Sequence, residues 1–332
     1  MLLKKILVIQ TAFIGDVVLA SPVWEKLRIS FPNSLIDVLA RKGNESLLNG
    51  HPFINQVLVW DKQKGKYKEL IRTIITVRKK KYDAVINLQR FASSGLITVL
   101  SGADYKAGFD KNPLSFLFNH KAPHLIGKKG DKNWIHETDR NLSVLTGLCD
   151  TATIRMQLYP SQEDLDWAKS FSQKSFITIS PASVWFTKQT PALVWNQFIS
   201  TLGTLQVVLL GGMGDRVLCE KIKALYPDKV RVMAGELSLL RSAALMKFAA
   251  MNYVNDSAPM HLASAVDAPV TAVFCSTIPE FGFGPRSSSS HVVEYTEPLS
   301  CKPCALHGRS SCPEGHFNCS KILAEQLKET LK

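Results

Sequence analysis

No apolar run in this 332-residue chain reaches the roughly 18 residues needed to cross a bilayer, which argues against a spanning helix. The stretch Ile6-Leu-Val-Ile9 follows Lys4-Lys5 directly. It is too short for the core of a secretory signal and reads as a buried strand, so the chain is expected to stay in the cytoplasm. The G-x-G-x-x-G spacing is missing at Gly15 and at Gly211-Gly212-Met-Gly214, which argues against an NAD enzyme. Acid is scarce: 28 Asp and Glu stand against 40 Lys and Arg, a net charge of +12. An anionic partner is therefore expected. Nine of the bases lie between Lys62 and Lys81, where Glu69 is the only acid. No aromatic platform or nucleic-acid motif accompanies them, so nucleic acid is not the expected partner. Tyr67, Leu70, Ile71, Ile74 and Ile75 follow helical spacing, which predicts an apolar face turned to the core and a basic face turned outward. Such a face is either a solvated helix surface or a fit for the anionic inner leaflet, at roughly 1 kcal/mol per base near the surface.

What the chain does carry is alternation. Hydrophobic residues make up 45% and charged residues 20%, ordinary for a globular protein, and the length accommodates two cores. In the first half, strand-like runs at 5–10, 35–40, 56–60 and 84–88 alternate with helical patterns at 16–30, 45–48, 66–80 and 93–100. An irregular, aromatic and basic region spans 108–130, and a helix is expected from His136 to Leu148. The alternation then resumes, with strands at 176–180, 206–210, 230–233, 251–254 and 270–274 and helices at 191–202, 216–226, 239–249 and 259–266. This order predicts an α/β chain of two doubly wound, Rossmann-like domains built on parallel sheets. The expected divisions are 1–160 for the first domain, 161–175 for the connection, 176–318 for the second domain and 319–332 for a C-terminal helix.

Two strand-to-helix turns concentrate polar chemistry. In the first, Gly15 permits a tight turn and Asp16 stands at a helix N-terminus, as a capping acid or as a reactive one. In the second, Asn255-Asp256-Ser257 opens a helix that carries His261 one turn in. Strand ends that lead into helix N-termini are where open α/β sheets bind anions. An acid, a hydroxyl and an imidazole grouped there suit a phosphorylated sugar, and a capped surface helix with a packed histidine is the alternative. The sole Asp-x-Asp, Asp164-Leu-Asp166, falls in the connecting segment and is poorly placed to share an ion with a phosphate.

Gly15-Asp16-Val17, Ser180-Pro-Ala-Ser-Val-Trp-Phe-Thr187-Lys188 and Asn255-Asp256-Ser257-Ala-Pro-Met-His261, in this order and spacing, resemble the bacterial heptosyltransferase family. These glycosyltransferases add heptose to the inner core of lipopolysaccharide. The resemblance covers nearly the whole chain, and the Cys-rich tail is similar to that of the heptosyltransferase II branch. It implies a GT-B-like arrangement, two doubly wound domains facing a central cleft, with acceptor bound by the first and donor by the second. The C-terminal helix would return to the first domain. Asp16 maps onto the family's general base, and Thr187 with Lys188 onto its contacts to the donor phosphates. Ser257 and the N–H groups of its helix offer a second phosphate cradle, and Asp256 is expected to hold donor sugar hydroxyls. His261 reads as a phosphate-side donor or a packing residue, and Gly211-Gly212 as a nucleotide-facing turn or a bare tight one. The implied reaction is inverting and metal-independent transfer from ADP-heptose to a lipid A–core acceptor, with no cofactor required, by an enzyme peripheral to the inner leaflet of the inner membrane. The rivals are a GT-B enzyme using another nucleotide sugar and a non-catalytic nucleotide-sugar binder.

Four of the seven cysteines form Cys301-x2-Cys304-x7-Cys312-x6-Cys319, with His307 and His316 among them. The spacing suits a structural zinc, and reduced thiols in a loop-rich tail are the other reading. Cys149, Cys219 and Cys275 sit beside apolar residues and are expected in the core.

Overall fold

The computed structural model describes residues 3–331. The chain divides into two compact units, Met1–Ile126 with Ile135–Tyr159, and Gly127–Trp134 with Pro160–Lys332. Each holds one six-stranded sheet in which every pair is parallel.

In the first unit the strands are β1 (Lys5–Gln10), β2 (Leu35–Arg41), β3 (Ile54–Trp60), β4 (Ala84–Asn87), β5 (Tyr105–Phe109) and β6 (His120–Ala122). Their order is β3-β2-β1-β4-β5-β6. In the second they are β7 (Phe176–Ser180), β8 (Gln206–Leu209), β9 (Val230–Val232), β10 (Asn252–Asn255), β11 (Val270–Phe274) and β12 (Ser290–Glu294). Their order, β12-β11-β10-β7-β8-β9, is the same winding. Parallel strands need crossovers, and the intervening helices cover both faces of the sheet. That is why β4, β7, β10 and β11 are buried along their whole length and are built mainly from apolar residues, with hydrogen-bonded Asn252 and Asn255 at the two ends of β10. Ligands in such sheets bind where the winding reverses, beyond the carboxyl ends of the two central strands. Here those strands are β1 and β4 in one unit and β7 and β10 in the other.

Several expectations change in detail. Strands β5, β6 and β12 carry too little apolar pattern to be read from sequence. The helix expected over 16–30 is two helices, Ile14–Leu19 and Ser21–Ser30, because Pro22 starts a new first turn after Ala20. The helix expected from His136 to Leu148 stops as Glu137–Ser143 and continues in turns. Residues 127–134, expected in the first domain, pack with the second, where Lys129 Nζ donates to the carbonyls of Leu299 and Lys302 at 3.2 Å. The expected connection is a helix of the second unit, Gln162–Phe171, held by Asp164 on Arg241 at 3.3 Å and by Arg241 over the Trp167 ring at 4.6 Å. The C-terminal helix is short, Ala324–Lys328, and does not join the first unit. Leu327 is fully buried in the second core with Trp195 and Phe198, and its carbonyl accepts the Tyr253 hydroxyl at 3.1 Å.

Candidate active site

In the first unit, β1 ends at Gln10, and its side chain meets that of Gln89 just beyond β4, which marks the point where the winding reverses. The next turn brings Asp16 to the third position of the helix Ile14–Leu19. Its Oδ2 accepts the Phe13 N–H at 3.2 Å, so the acid satisfies one of the helix's unpaired donors. The capping role is real, yet the side chain stays half-buried rather than solvated. Burial raises its pKa from 3.8 to about 6. The charge of Glu137 adds to this, and the Phe13 and Asp16 N–H groups and Arg90 oppose it. A carboxylate poised near neutrality is what a general base at physiological pH requires.

Near Asp16, and elsewhere at the carboxyl ends of the same sheet, stand groups that the motifs did not single out. Glu137 is buried, and desolvation raises its pKa against the opposing pull of Arg140, whose Nε donates to Glu137 Oε2 at 2.7 Å. His124 is driven down to about 4 by burial and then by the charges of Arg90 and Arg140, so it is neutral at pH 7. Lys62, from the basic run, turns back to the Thr11 carbonyl at 3.2 Å and hydroxyl at 3.3 Å. Burial, and then Arg41, lowers its pKa. The only sequence hint of this shell was the polar start of the helix after His136, which reads equally well as capping.

In the second unit, the loop after β7 and the loop after β10 meet. Lys188 Nζ lies 2.7 Å from Asp256 Oδ2, with side chains only 14% and 7% exposed. The Thr277 hydroxyl donates to the same carboxylate oxygen at 2.6 Å. Asn255 fixes the loop around this pair. Its Oδ1 accepts the Thr190 N–H at 2.9 Å and hydroxyl at 2.7 Å, and its Nδ2 donates to the Pro181 carbonyl at 2.9 Å. A fully buried amide with every bond made is a rigid tether.

Thr187 is tied to the C-terminal tail. Its hydroxyl oxygen accepts from Ser276 Oγ at 2.9 Å and from the Arg309 N–H at 2.8 Å, and the residue is 1% exposed. With its hydroxyl so engaged, Thr187 holds the loop to the tail. Ser257 is half-buried at the N-cap of the helix Ala258–Ala265, and its hydroxyl makes no capping bond. His261 is buried and held near pKa 4 by desolvation, with the Lys188 charge also lowering it and Asp256 opposing. Its Nδ1 has no hydrogen-bond partner among the described residues. Gly211 and Gly212 form a turn closed by Asp215, whose Oδ2 accepts the Gly212 N–H at 2.8 Å. A side chain at 211 would strike Asp215, so that close approach accounts for the first glycine.

The tail is stitched across the same loops. Gly308, at φ +80°, sits against the stem of Lys188 and the Cβ of Trp185. The Cys304 N–H reaches the Ser276 carbonyl at 3.0 Å. Cys319 is buried in the second core, Cys301, Cys304 and Cys312 are half-buried, and all seven cysteines are free. Among the described residues no group of three or more His, Cys, Asp or Glu is gathered as a metal ion would need. Cys219 and Cys275 are buried as expected, whereas Cys149 is only half-buried. Among the described residues no helix is long and apolar enough to cross a membrane.

Residues 70–311 match the family described as Glycosyltransferase family 9 (heptosyltransferase). Lipopolysaccharide heptosyltransferase 3 of Escherichia coli is 27% identical over 282 residues, covering 80% of this chain and 82% of that protein. Among solved structures, the E. coli ADP-heptose LPS heptosyltransferase II aligns with a TM-score of 0.79 at 22% identity, over 98% of this chain and 97% of the other. An E. coli heptosyltransferase with ADP aligns with a TM-score of 0.73 at 19% identity, over 98% of each chain. At these identities the two structures speak for the fold alone.

Proposed function

The chain belongs to glycosyltransferase family 9, the heptosyltransferases, and from that premise we propose that it moves heptose from ADP-heptose to the inner core of lipopolysaccharide, with inversion and without a divalent metal. It is a glycosyltransferase of lipopolysaccharide assembly. The donor, the stereochemistry and the metal independence are our reading.

The observation that carries the mechanism is Asp16, half-buried beyond β1 with a pKa near 6. Ionised at neutral pH, it accepts the proton of the acceptor hydroxyl as that oxygen attacks the anomeric carbon. The C–O bond to the diphosphate breaks from the opposite face, and negative charge grows on the leaving ADP. Lys188 meets that charge, together with the Ala258 N–H at the start of the helix Ala258–Ala265. Asp256 already holds Lys188 at 2.7 Å, and in this reading its second oxygen takes donor sugar hydroxyls. The ADP assignment draws support from the E. coli relatives, one named for ADP-heptose and one solved with ADP.

The test is transfer from ADP-heptose to a heptose-deficient lipid A–core acceptor in excess EDTA, with the product's anomeric configuration read by NMR. Inverted product without added metal is the expected result. Dependence on magnesium or manganese, or retained configuration, would overturn those parts of the reading. Stronger thermal stabilisation by UDP, GDP or CDP than by ADP would reassign the donor.

A further inference from the structure

The helix Lys66–Lys79 is expected to turn Tyr67, Ile71 and Ile75 to the core, and it does the reverse. Glu69, Thr73 and Val77 are its buried positions, with Leu70 and Ile74 half-buried against the core. Tyr67, Ile71 and Ile75 are 74%, 58% and 48% exposed. Four residues apart, they form one ridge spanning an arc of about 80°. Single exposed apolar side chains are ordinary, whereas a row of three along one helix asks for a cover. A shallow groove beside the ridge is lined by Ile71, Ile75 and Thr76 together with Lys64, Lys68, Arg72 and Lys79, with Glu69 at its floor. Glu69, the one acid of the segment, is buried and has Arg72 at 3.6 Å, so no exposed carboxylate interrupts the positive rim. At the helix end Arg78 donates to the Leu100 carbonyl at 3.4 Å, beside a neighbouring helix whose Leu96 and Leu100 are 38% and 41% exposed.

We propose that this helix is a docking surface for an anionic lipid bilayer. It lies along the membrane plane with Tyr67, Ile71 and Ile75 entering the headgroup boundary, and Lys64, Lys68, Arg72 and Lys79 on the lipid phosphates. Charge complementarity selects the occupant, because apolar insertion framed by bases alone is the pattern of an interfacial helix. A second copy of the same face would set bases against bases. The inference does not depend on which sugar is transferred.

The test is co-sedimentation with vesicles of phosphatidylethanolamine and phosphatidylglycerol, with phosphatidylcholine vesicles as the neutral control. The wild type should bind the anionic vesicles selectively and keep a salt-resistant fraction. Lys68→Glu/Arg72→Glu/Lys79→Glu should lose about a hundredfold in partitioning. Ile71→Ser/Ile75→Ser should lose about tenfold, and its remaining binding should vanish at high salt. Thermal denaturation checks the fold, and the single exchanges Ile71→Ser and Lys68→Glu replace any combined variant that does not fold. Equal sedimentation of the serine variant and the wild type would overturn the proposal. So would equal binding to neutral vesicles, or self-association that the serine variant abolishes without any vesicle binding.

Discussion

Replacing Asp16 with Asn should make the protein more stable and nearly inactive at once. In the fold, burial and then Glu137 shift this carboxyl from 3.8 to about 6. A folded-state pKa raised above the unfolded one means that the charged form is tolerated worse in the fold than in the open chain. Stability therefore falls as pH rises from about 3.8 to about 6, and at pH 7 the full penalty is present. A shift of roughly two units at 1.36 kcal/mol each sets an upper bound of about 3 kcal/mol. Partial solvation of a half-buried group reduces this to about 1–3 kcal/mol. Asn keeps the shape, and its Oδ1 can accept the Phe13 N–H that the carboxylate accepts at 3.2 Å. It lacks only the charge. Urea unfolding at pH 7 should show the variant more stable, and the gain should shrink towards zero at pH 4, where the wild-type carboxyl is protonated in the fold. Turnover should drop by about 10² or more, with ADP affinity close to wild type. The wild-type rate should fall below pH 6, about tenfold per unit. A less stable Asn variant at pH 7, or a gain of equal size at pH 4, would refute the burial argument. Near-normal turnover on saturating acceptor would remove Asp16 from the base role.

The second unit yields two further tests. Lys188→Ala leaves the buried Asp256 with Thr277 alone, and breaking such a pair costs about 3–5 kcal/mol. Stability and ADP affinity should both fall, and adding Asp256→Asn should restore the stability but not the affinity. Calorimetry with ADP affinity unchanged in Lys188→Ala would count against its phosphate role. Gly308→Ala places a methyl 2.8 Å from Lys188 Cγ at φ +80°, whereas Gly315→Ala bears a similar φ of +72° with nothing within 4 Å. Both should lose comparable stability from backbone strain, and only the Gly308 variant should raise the donor KM. Equal donor KM values would show that the tail does not position Lys188.

Nine of the twelve strands among the described residues were legible because parallel strands buried on both faces are mainly apolar, as β7 and β11 are despite Thr178, Ser180 and Thr271. The three that were missed are edge or near-edge strands. β12 buries only Val293 fully, β6 is three residues long, and β5 begins with Tyr105-Lys106. Their pairing comes from the neighbouring strand, and their own pattern does not announce it. The helix Lys66–Lys79 misled for a related reason. Its apolar residues span an arc of about 160°, and spacing alone does not say which part of so wide an arc meets the sheet.

The sequence by itself determined that this is a doubly wound α/β chain, and it pointed to Gly15-Asp16, Thr187-Lys188 and Asn255-Asp256-Ser257 as the candidate site. Each of these is a local strand-to-helix turn whose capping and phosphate-binding logic is written within a few residues. Only the tertiary structure decided which partners those residues keep. Lys188 and Asp256 are 68 positions apart and touch because β7 and β10 are adjacent where the winding reverses. Thr187 became a tether because Ser276 and Arg309 arrive from the far end of the chain. Asp16 is pushed up to about 6 because the folded packing around it excludes water and, second to that, because the Glu137 charge repels its own. Desolvation and long-range pairing depend on the density of the folded packing around a side chain, and a residue's sequence neighbours carry no record of that density.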